Sequence, residues 1–172
     1  MISWISTSDR IINSEQGFTA IIPGPHCKLG IQSDDSRILG IEFLSPEEQD
    51  ISPKNGMAEE AVVQITRWLN DPEWDISLPL IEMGTVFQRK IWRALLEIKP
   101  GQPKTYGEVA REIGSGARAV GNACRANPYP VIVPCHRIIA ANGLGGFAGE
   151  RRGMRLDTKR WLLAHEGYKA NK

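Results

Sequence analysis

From Gly17 to Leu44 the apolar positions recur with a period of two. Phe18-Thr19-Ala20-Ile21-Ile22 is β-prone and stops at Pro23-Gly24-Pro25. Cys27 to Gln32 alternates apolar with small or polar side chains, Asp34-Asp35-Ser36 turns the chain, and Ile38 to Leu44 follows as a further strand. Short runs joined by turn residues predict an antiparallel meander. The period then lengthens to that of a helix. Ala61, Ile65, Trp68 and Leu69 share one face, while Glu59, Glu60, Gln64 and Arg67 lie largely on the other, which predicts a helix over Met57–Leu69 ended by Asp71-Pro72. Residues 70–84, with Pro72, Pro79 and Gly84, carry neither period. They predict an irregular linker and divide the chain into residues 1–83 and 84–172.

The second segment is helical in pattern. Thr85 is placed as an N-cap, and Val86, Ile91, Ala94, Leu95 and Ile98 form an apolar stripe before Pro100-Gly101 stops it. Thr105-Tyr106-Gly107-Glu108 has capping-box form and opens a helix to about Ile113. Gly114-Ser115-Gly116 turns the chain into a helix over Ala117–Ala126. Two helices about a short glycine-rich turn, the second bearing Arg118 and Arg125, have the layout of a helix-turn-helix. The small face of Ala117, Ala119, Gly121, Asn122 and Ala123 would let that helix axis approach a sugar-phosphate backbone closely.

Pro130-Val131-Ile132-Val133 reads as a short buried strand, because β-branched residues favour extended backbone and Pro134 cannot continue a ladder. It delivers Cys135 beside His136 and Arg137 at the point where regular structure stops. A neighbouring imidazolium or guanidinium lowers a thiol pKa, so the pattern suggests a reactive cysteine. Asn142-Gly143 is a hairpin-type dipeptide, Leu144 to Gly149 forms a glycine-rich lid, and Leu156 to Ala164 reads as the final helix, stopped by Gly167.

Charge sharpens this division. Residues 1–83 hold 5 Lys and Arg against 14 Asp and Glu, a net −9, whereas residues 84–172 hold 16 against 6, a net +10. That split points to a polyanionic partner for the second segment. Cys27, Cys124 and Cys135 are odd in number and widely spaced, which gives neither a disulfide framework nor a zinc pattern. No apolar run approaches the length of a membrane span, and Met1 to Ser6 lack the basic start of a signal peptide. The expectation is a cytoplasmic protein in a reducing compartment, with no membrane partner.

Six motifs then coincide in order across residues 84–167. Phe87-Gln88 with Ile91-Trp92, Thr105-Tyr106-Gly107, Arg118-Ala119-Val120-Gly121, Asn127-Pro128, Pro134-Cys135-His136-Arg137, and Trp161-Leu162-Leu163-Ala164-His165-Glu166-Gly167 resemble the O6-alkylguanine-DNA alkyltransferases. Residues 1–83 match only in their layout of meander followed by helix. The resemblance implies an α+β fold, with an RNase H-like N-terminal domain of structural role and a mainly helical C-terminal domain holding the helix-turn-helix and the cysteine strand.

It also implies a chemistry: single-turnover, irreversible transfer of the alkyl group from O6-alkylguanine in duplex DNA to Cys135, with O4-alkylthymine as a further candidate substrate. His136 would deprotonate Cys135 through a water, and Glu166 would orient His136. Asn127 would lock the turn that precedes the cysteine. Ala117, Arg118, Ala119, Gly121, Asn122 and Arg125 would lie in the minor groove, with Arg118 filling the place of the flipped base. Tyr106 would contact the 3′ phosphate, and Val133, Phe147, Ala148 and Tyr106 would line the guanine pocket. No cofactor or metal is implied. The family implication is a monomer, with association of copies on DNA left open. Two features depart from the family pattern. Phe147 and Ala148 stand where many members carry hydroxyls, and residues 149–155 are longer and richer in Arg. A non-catalytic lesion-binding protein is the alternative reading, though in that group the acceptor cysteine is replaced. A thiol hydrolase would leave the helix-turn-helix and the basic segment unexplained.

Overall fold

The computed structural model describes residues 2–5, 17–150 and 152–169. Contacts divide the chain into two compact units, Met1–Met83 and Gly84–Lys172. In the first unit β1 (Ser3–Ile5), β2 (Ala20–Gly24), β3 (Cys27–Ser33), β4 (Ile38–Leu44) and β5 (Pro79–Ile81) form one sheet in the order β1-β5-β4-β3-β2. The meander β2-β3-β4 is antiparallel, and β5 pairs parallel with both β4 and β1. Along β3, Cys27, Leu29, Ile31 and Ser33 are buried while Lys28 and Gln32 are partly exposed, as a period of two requires. The β2-β3 hairpin turns on Pro25 and His26, so β2 continues through Pro23 and Gly24 and does not stop there.

Helix α1 (Gly56–Asn70) lays Ala58, Ala61, Ile65 and Trp68 against the sheet. Its cap is unusually well tied. Asn55 Oδ1 accepts from Ala58 N at 2.8 Å and from Ser33 Oγ at 3.0 Å, which fixes the helix start to the end of β3. The irregular linker expected over residues 70–84 is corrected in part, because Pro79–Ile81 is a strand lying between β1 and β4. Three residues are too short to show a period. Pro79 is admissible because it takes the first strand position, where its missing N–H costs least.

The second unit contains α2 (Val86–Leu96), α3 (Tyr106–Ile113), α4 (Ala117–Arg125) and α5 (Met154–His165), with a two-stranded parallel pairing of β6 (Lys104–Thr105) and β7 (Ile138–Ile139). Thr85 with Gln88 and Thr105 with Glu108 make capping boxes in which side chain and backbone satisfy each other. Gly114 closes α3 at φ 69°, a left-handed position that favours glycine. Val120, Ala123 and Cys124 form the buried face of α4, and Trp92 Nε1 on α2 donates to Ala123 O at 2.9 Å. Among the described residues no helix is long and apolar enough to cross a membrane.

The expected cysteine strand is the main correction to the fold. Residues 130–133 form a buried turn, and Cys135–Arg137 is a short 3₁₀ helix. Val131 sits at φ 77°, which is rare for a β-branched residue. Val133 N donates to Tyr129 O at 2.8 Å, so the segment satisfies its polar groups by folding on itself, with no sheet partner. The apolar run signalled burial, and two flanking prolines with an upstream asparagine set its shape.

Candidate active site

Asn127 follows α4 and holds the turn from inside. Its Nδ2 donates to Val133 O at 2.8 Å, and its Oδ1 accepts from Tyr129 N at 3.0 Å. Val133 O also accepts from Cys135 N at 2.8 Å. One side chain thereby fixes the backbone on both sides of the bend that presents the cysteine. Val133 is fully buried, and its carbonyl is engaged by these two donors.

Cys135 is itself buried, with 6% of its surface exposed. Burial pushes its thiol pKa up. Asn127 and the Lys159 ammonium pull the other way without prevailing. The expectation that basic neighbours would depress this thiol is therefore corrected: desolvation of the thiolate is the larger effect. The resting sulfur is a neutral thiol.

The next residue supplies a base. His136 is fully buried, and its Nε2 lies 2.9 Å from Glu166 Oε1. Burial lowers the imidazole pKa against the opposing pull of Glu166, so the ring is neutral near pH 7. Burial also pushes the Glu166 carboxyl up, but hydrogen bonds from His136 and Arg137 outweigh it and bring that group to about 2. An ionised carboxylate can only accept, so His136 carries its proton on Nε2 and keeps Nδ1 as the basic nitrogen. Glu166 owes its position to the end of α5, where it forms the C-cap ahead of Gly167 at φ 85°.

Arg137 completes this lock, whereas the sequence placed it only as a cation beside the thiol. Its Nε donates to both Glu166 oxygens at 3.1 and 3.0 Å, its Nη2 donates to Oε1 at 2.8 Å, and its Nη1 donates to Ile98 O. The carboxylate is thus held by a planar fork and directed at the imidazole.

Lys159 is the second omission. It is fully buried, and Nζ donates to the carbonyls of Ile138, Leu144 and Gly146 at 2.6, 2.8 and 3.0 Å. Three acceptors match the three donors of an ammonium. Burial lowers its pKa to about 8, opposed by Cys135 and Cys124. A signal was present in the sequence: Leu156, Lys159 and Leu163 fall at i, i+3 and i+7, which puts a lysine on the apolar stripe of α5.

Beside this buried group opens a cleft of about 900 Å³. Tyr106, Ala117, Arg118, Gly121, Asn122 and Arg125 line it from α3 and α4, and Phe147, Ala148 and Gly149 line it from the lid. Ala119 lies on α4 between the exposed and buried faces. Arg118 and Arg125 are exposed, whereas the Phe147 ring is 4% exposed. The Tyr106 hydroxyl donates to Gly146 O at 3.2 Å, and burial raises its pKa to about 12. Gly146 O is therefore shared by Tyr106 and Lys159, which tie the lid to α3 and α5. Cys124 is buried and also lines the cleft. Arg151 in the Arg-rich segment lies outside the described residues.

Comparison with known proteins gives this geometry a context. Residues 86–168 match the family model of the 6-O-methylguanine DNA methyltransferase DNA-binding domain. The chain is 32% identical over 171 residues to the regulatory protein ada of Salmonella typhimurium, covering 98% of this chain and 45% of that protein. It spans about half the length of the Salmonella relatives that it matches. A Mycobacterium tuberculosis OGT crystallised in complex with DNA superposes with a TM-score of 0.70 at 33% identity, covering 85% of this chain and 90% of that one. The methylated-DNA–protein-cysteine methyltransferase of Methanosarcina acetivorans is 34% identical over 158 residues, covering 87% of this chain and 98% of its own length. Likeness over nearly the whole of such a relative, with the matched domain containing the Cys135 site, shows that this chain belongs to the methylated-DNA–protein-cysteine methyltransferase family.

Proposed function

We propose that this protein repairs duplex DNA by taking the alkyl group of O6-alkylguanine onto Cys135, once per molecule and irreversibly. The observation that carries the reading is the buried sequence of Cys135, then neutral His136, then ionised Glu166 clamped by Arg137. A neutral thiol next to a neutral base is competent for a coupled step. The thiol proton passes to His136 through a water, while Sγ forms its bond to the alkyl carbon. The carbon–O6 bond breaks with its electron pair going to guanine, which then takes up a proton. Net transfer moves one alkyl group to sulfur and one proton to guanine. The thioether has no leaving group for water to displace, so the protein is consumed.

Access requires the base to leave the duplex. In this reading α4 lies in the minor groove, with Ala117, Ala119, Gly121 and Asn122 as its close-approach surface. Arg118 enters the stack, Arg125 supports the backbone, and Tyr106 turns the nucleotide by its phosphate. Phe147 and Ala148 border the extruded base within the cleft. Residues 84–172 carry the chemistry and residues 1–83 a structural role, in a monomer of the reducing cytoplasm.

The test mixes the protein with duplex DNA holding one O6-methylguanine and follows intact and peptide mass. One methyl group on the Cys135 peptide, absent in Cys135→Ser, is the expected result. Lesion binding without any mass gain would replace this reading with that of a non-catalytic lesion binder.

A further inference from the structure

The reaction above uses the α4 wall of the cleft, with Arg118 and Arg125. Another wall of the same cleft runs from Gly149 into α5 and includes Glu150, Leu156 and Arg160. This stretch is basic in its own right. Around it the chain carries Arg152, Arg155 and Arg160 against Glu150 and Asp157, and of these arginines Arg160 lines the cleft itself. None of these side chains takes part in the Cys135, His136 and Glu166 chemistry.

Four observations describe this stretch. The two walls meet at one point, since a Cβ on Gly149 would lie 2.9 Å from Arg125 Nε, so the lid backbone packs against a cation of α4. Arg155 is partly committed, its Nε donating to Glu150 Oε1 at 3.1 Å. Arg160 donates one nitrogen to Asp157 Oδ1 at 2.6 Å, but both side chains are open to solvent, 61% and 48% exposed. An exposed pair of this kind is weakly held and readily exchanged for a better acceptor. A phosphate is such an acceptor, because its oxygens match the planar guanidinium fork in a bidentate way. Arg152 is exposed two residues before α5 begins. A cleft with arginines on both walls and few carboxylates calls for an occupant that is negative along its length.

We propose that Arg152 and Arg160 form a second phosphate-binding rim, which engages the DNA backbone from the α5 side while α4 engages it from its own side. The rim rests on the DNA reading given above. Each phosphate contact releases condensed counterions and steepens the fall of affinity with salt. Losing one contact should flatten the slope of log K against log salt by about 0.9.

Binding to an unmodified duplex is measured across a salt series for the wild type, Arg152→Ala, Arg160→Ala, the double variant, and Arg67→Ala as a control that removes one exposed cation from the first unit. Each rim variant should flatten the slope by about 0.9 and the double variant by about twice that, with Arg67→Ala unchanged. Asp157→Asn should bind more tightly than the wild type, since it frees Arg160 and removes a charge that repels phosphate. Rim variants with the slope and affinity of Arg67→Ala would overturn the rim while leaving the DNA reading intact. A wild type with no salt-sensitive binding would overturn both.

Discussion

Replacing Glu166 by Gln tests the buried lock where its geometry is most explicit. The substitution keeps the shape and removes the charge that accepts from His136 and three times from Arg137. Glu166 has an ordinary value of 4.5 and is held at about 2 in the folded protein. A folded value below the unfolded one gives stability that is fully present above pH 4.5 and is lost as pH falls toward 2. At about 1.4 kcal/mol per unit, the carboxylate contributes on the order of 3 kcal/mol at neutral pH. Glu166→Gln should therefore unfold about 3 kcal/mol more easily at pH 7 in a denaturant titration, and the two stability curves should approach each other between pH 4.5 and 2. The alkyl-transfer rate should fall by about 100-fold or more, because the amide no longer fixes the proton on Nε2 and leaves the general base disordered. Parallel stability curves across that pH window would refute the lock. A wild-type transfer rate in a folded variant would refute the orienting role of Glu166.

Asn127→Ala leaves Val133 O without its side-chain donor and Tyr129 N without its acceptor in a buried turn. It should cost about 2–4 kcal/mol in thermal or chemical unfolding and slow methyl transfer together with stability. Lys159→Met strips three carbonyls of their donor and should speed proteolytic cleavage within residues 144–149 at temperatures where the rest of the chain stays folded, as a time course on gels will read out. Tyr106→Phe removes one hydroxyl bond to Gly146 O and should cost about 1 kcal/mol of stability, with a larger effect on lesion-duplex transfer than on reaction with the free O6-alkylguanine base. Cys135→Ser should match the wild type in unfolding midpoint and duplex binding while gaining no methyl group by intact mass.

Elements with a clear period were readable from the sequence. The α1 stripe of Ala61, Ile65 and Trp68, the caps at Thr85 and Thr105, and the glycine at the end of α3 each obey a local rule, and each sits where that rule places it. Elements set by partners distant in sequence were not readable. Pro79–Ile81 is a strand because β1 and β4 accept it on either side. Val131 to Val133 bend because Asn127 supplies the hydrogen bonds a ladder would have supplied. The same division holds in the site. Cys135 and His136 are adjacent, so their proximity was visible at once. Glu166 enters through a separation of 30 residues and is joined there by Arg137, whose fork no spacing rule anticipates. Lys159 was the legible omission, since a lysine in register with Leu156 and Leu163 must be buried with acceptors or break the face.

These placements divide the labour of activation in a way that a solvent-facing thiolate would not. Burial keeps Cys135 as a thiol, and the same burial keeps His136 uncharged, so neither group is spent before a substrate arrives. Charge is confined to Glu166, which Arg137 neutralises in place, and to Lys159, whose ammonium lies among carbonyls and favours negative charge on nearby sulfur. The sulfur becomes anionic only as its proton moves toward a base whose other nitrogen is already committed to a carboxylate. On the proposed reading the nucleophile is used once, and a buried neutral thiol spares it from reaction with other electrophiles. On that reading, selectivity for the lesion arises in the same structure as reactivity, since α4, the lid and the buried thiol all meet one extruded base before the proton leaves.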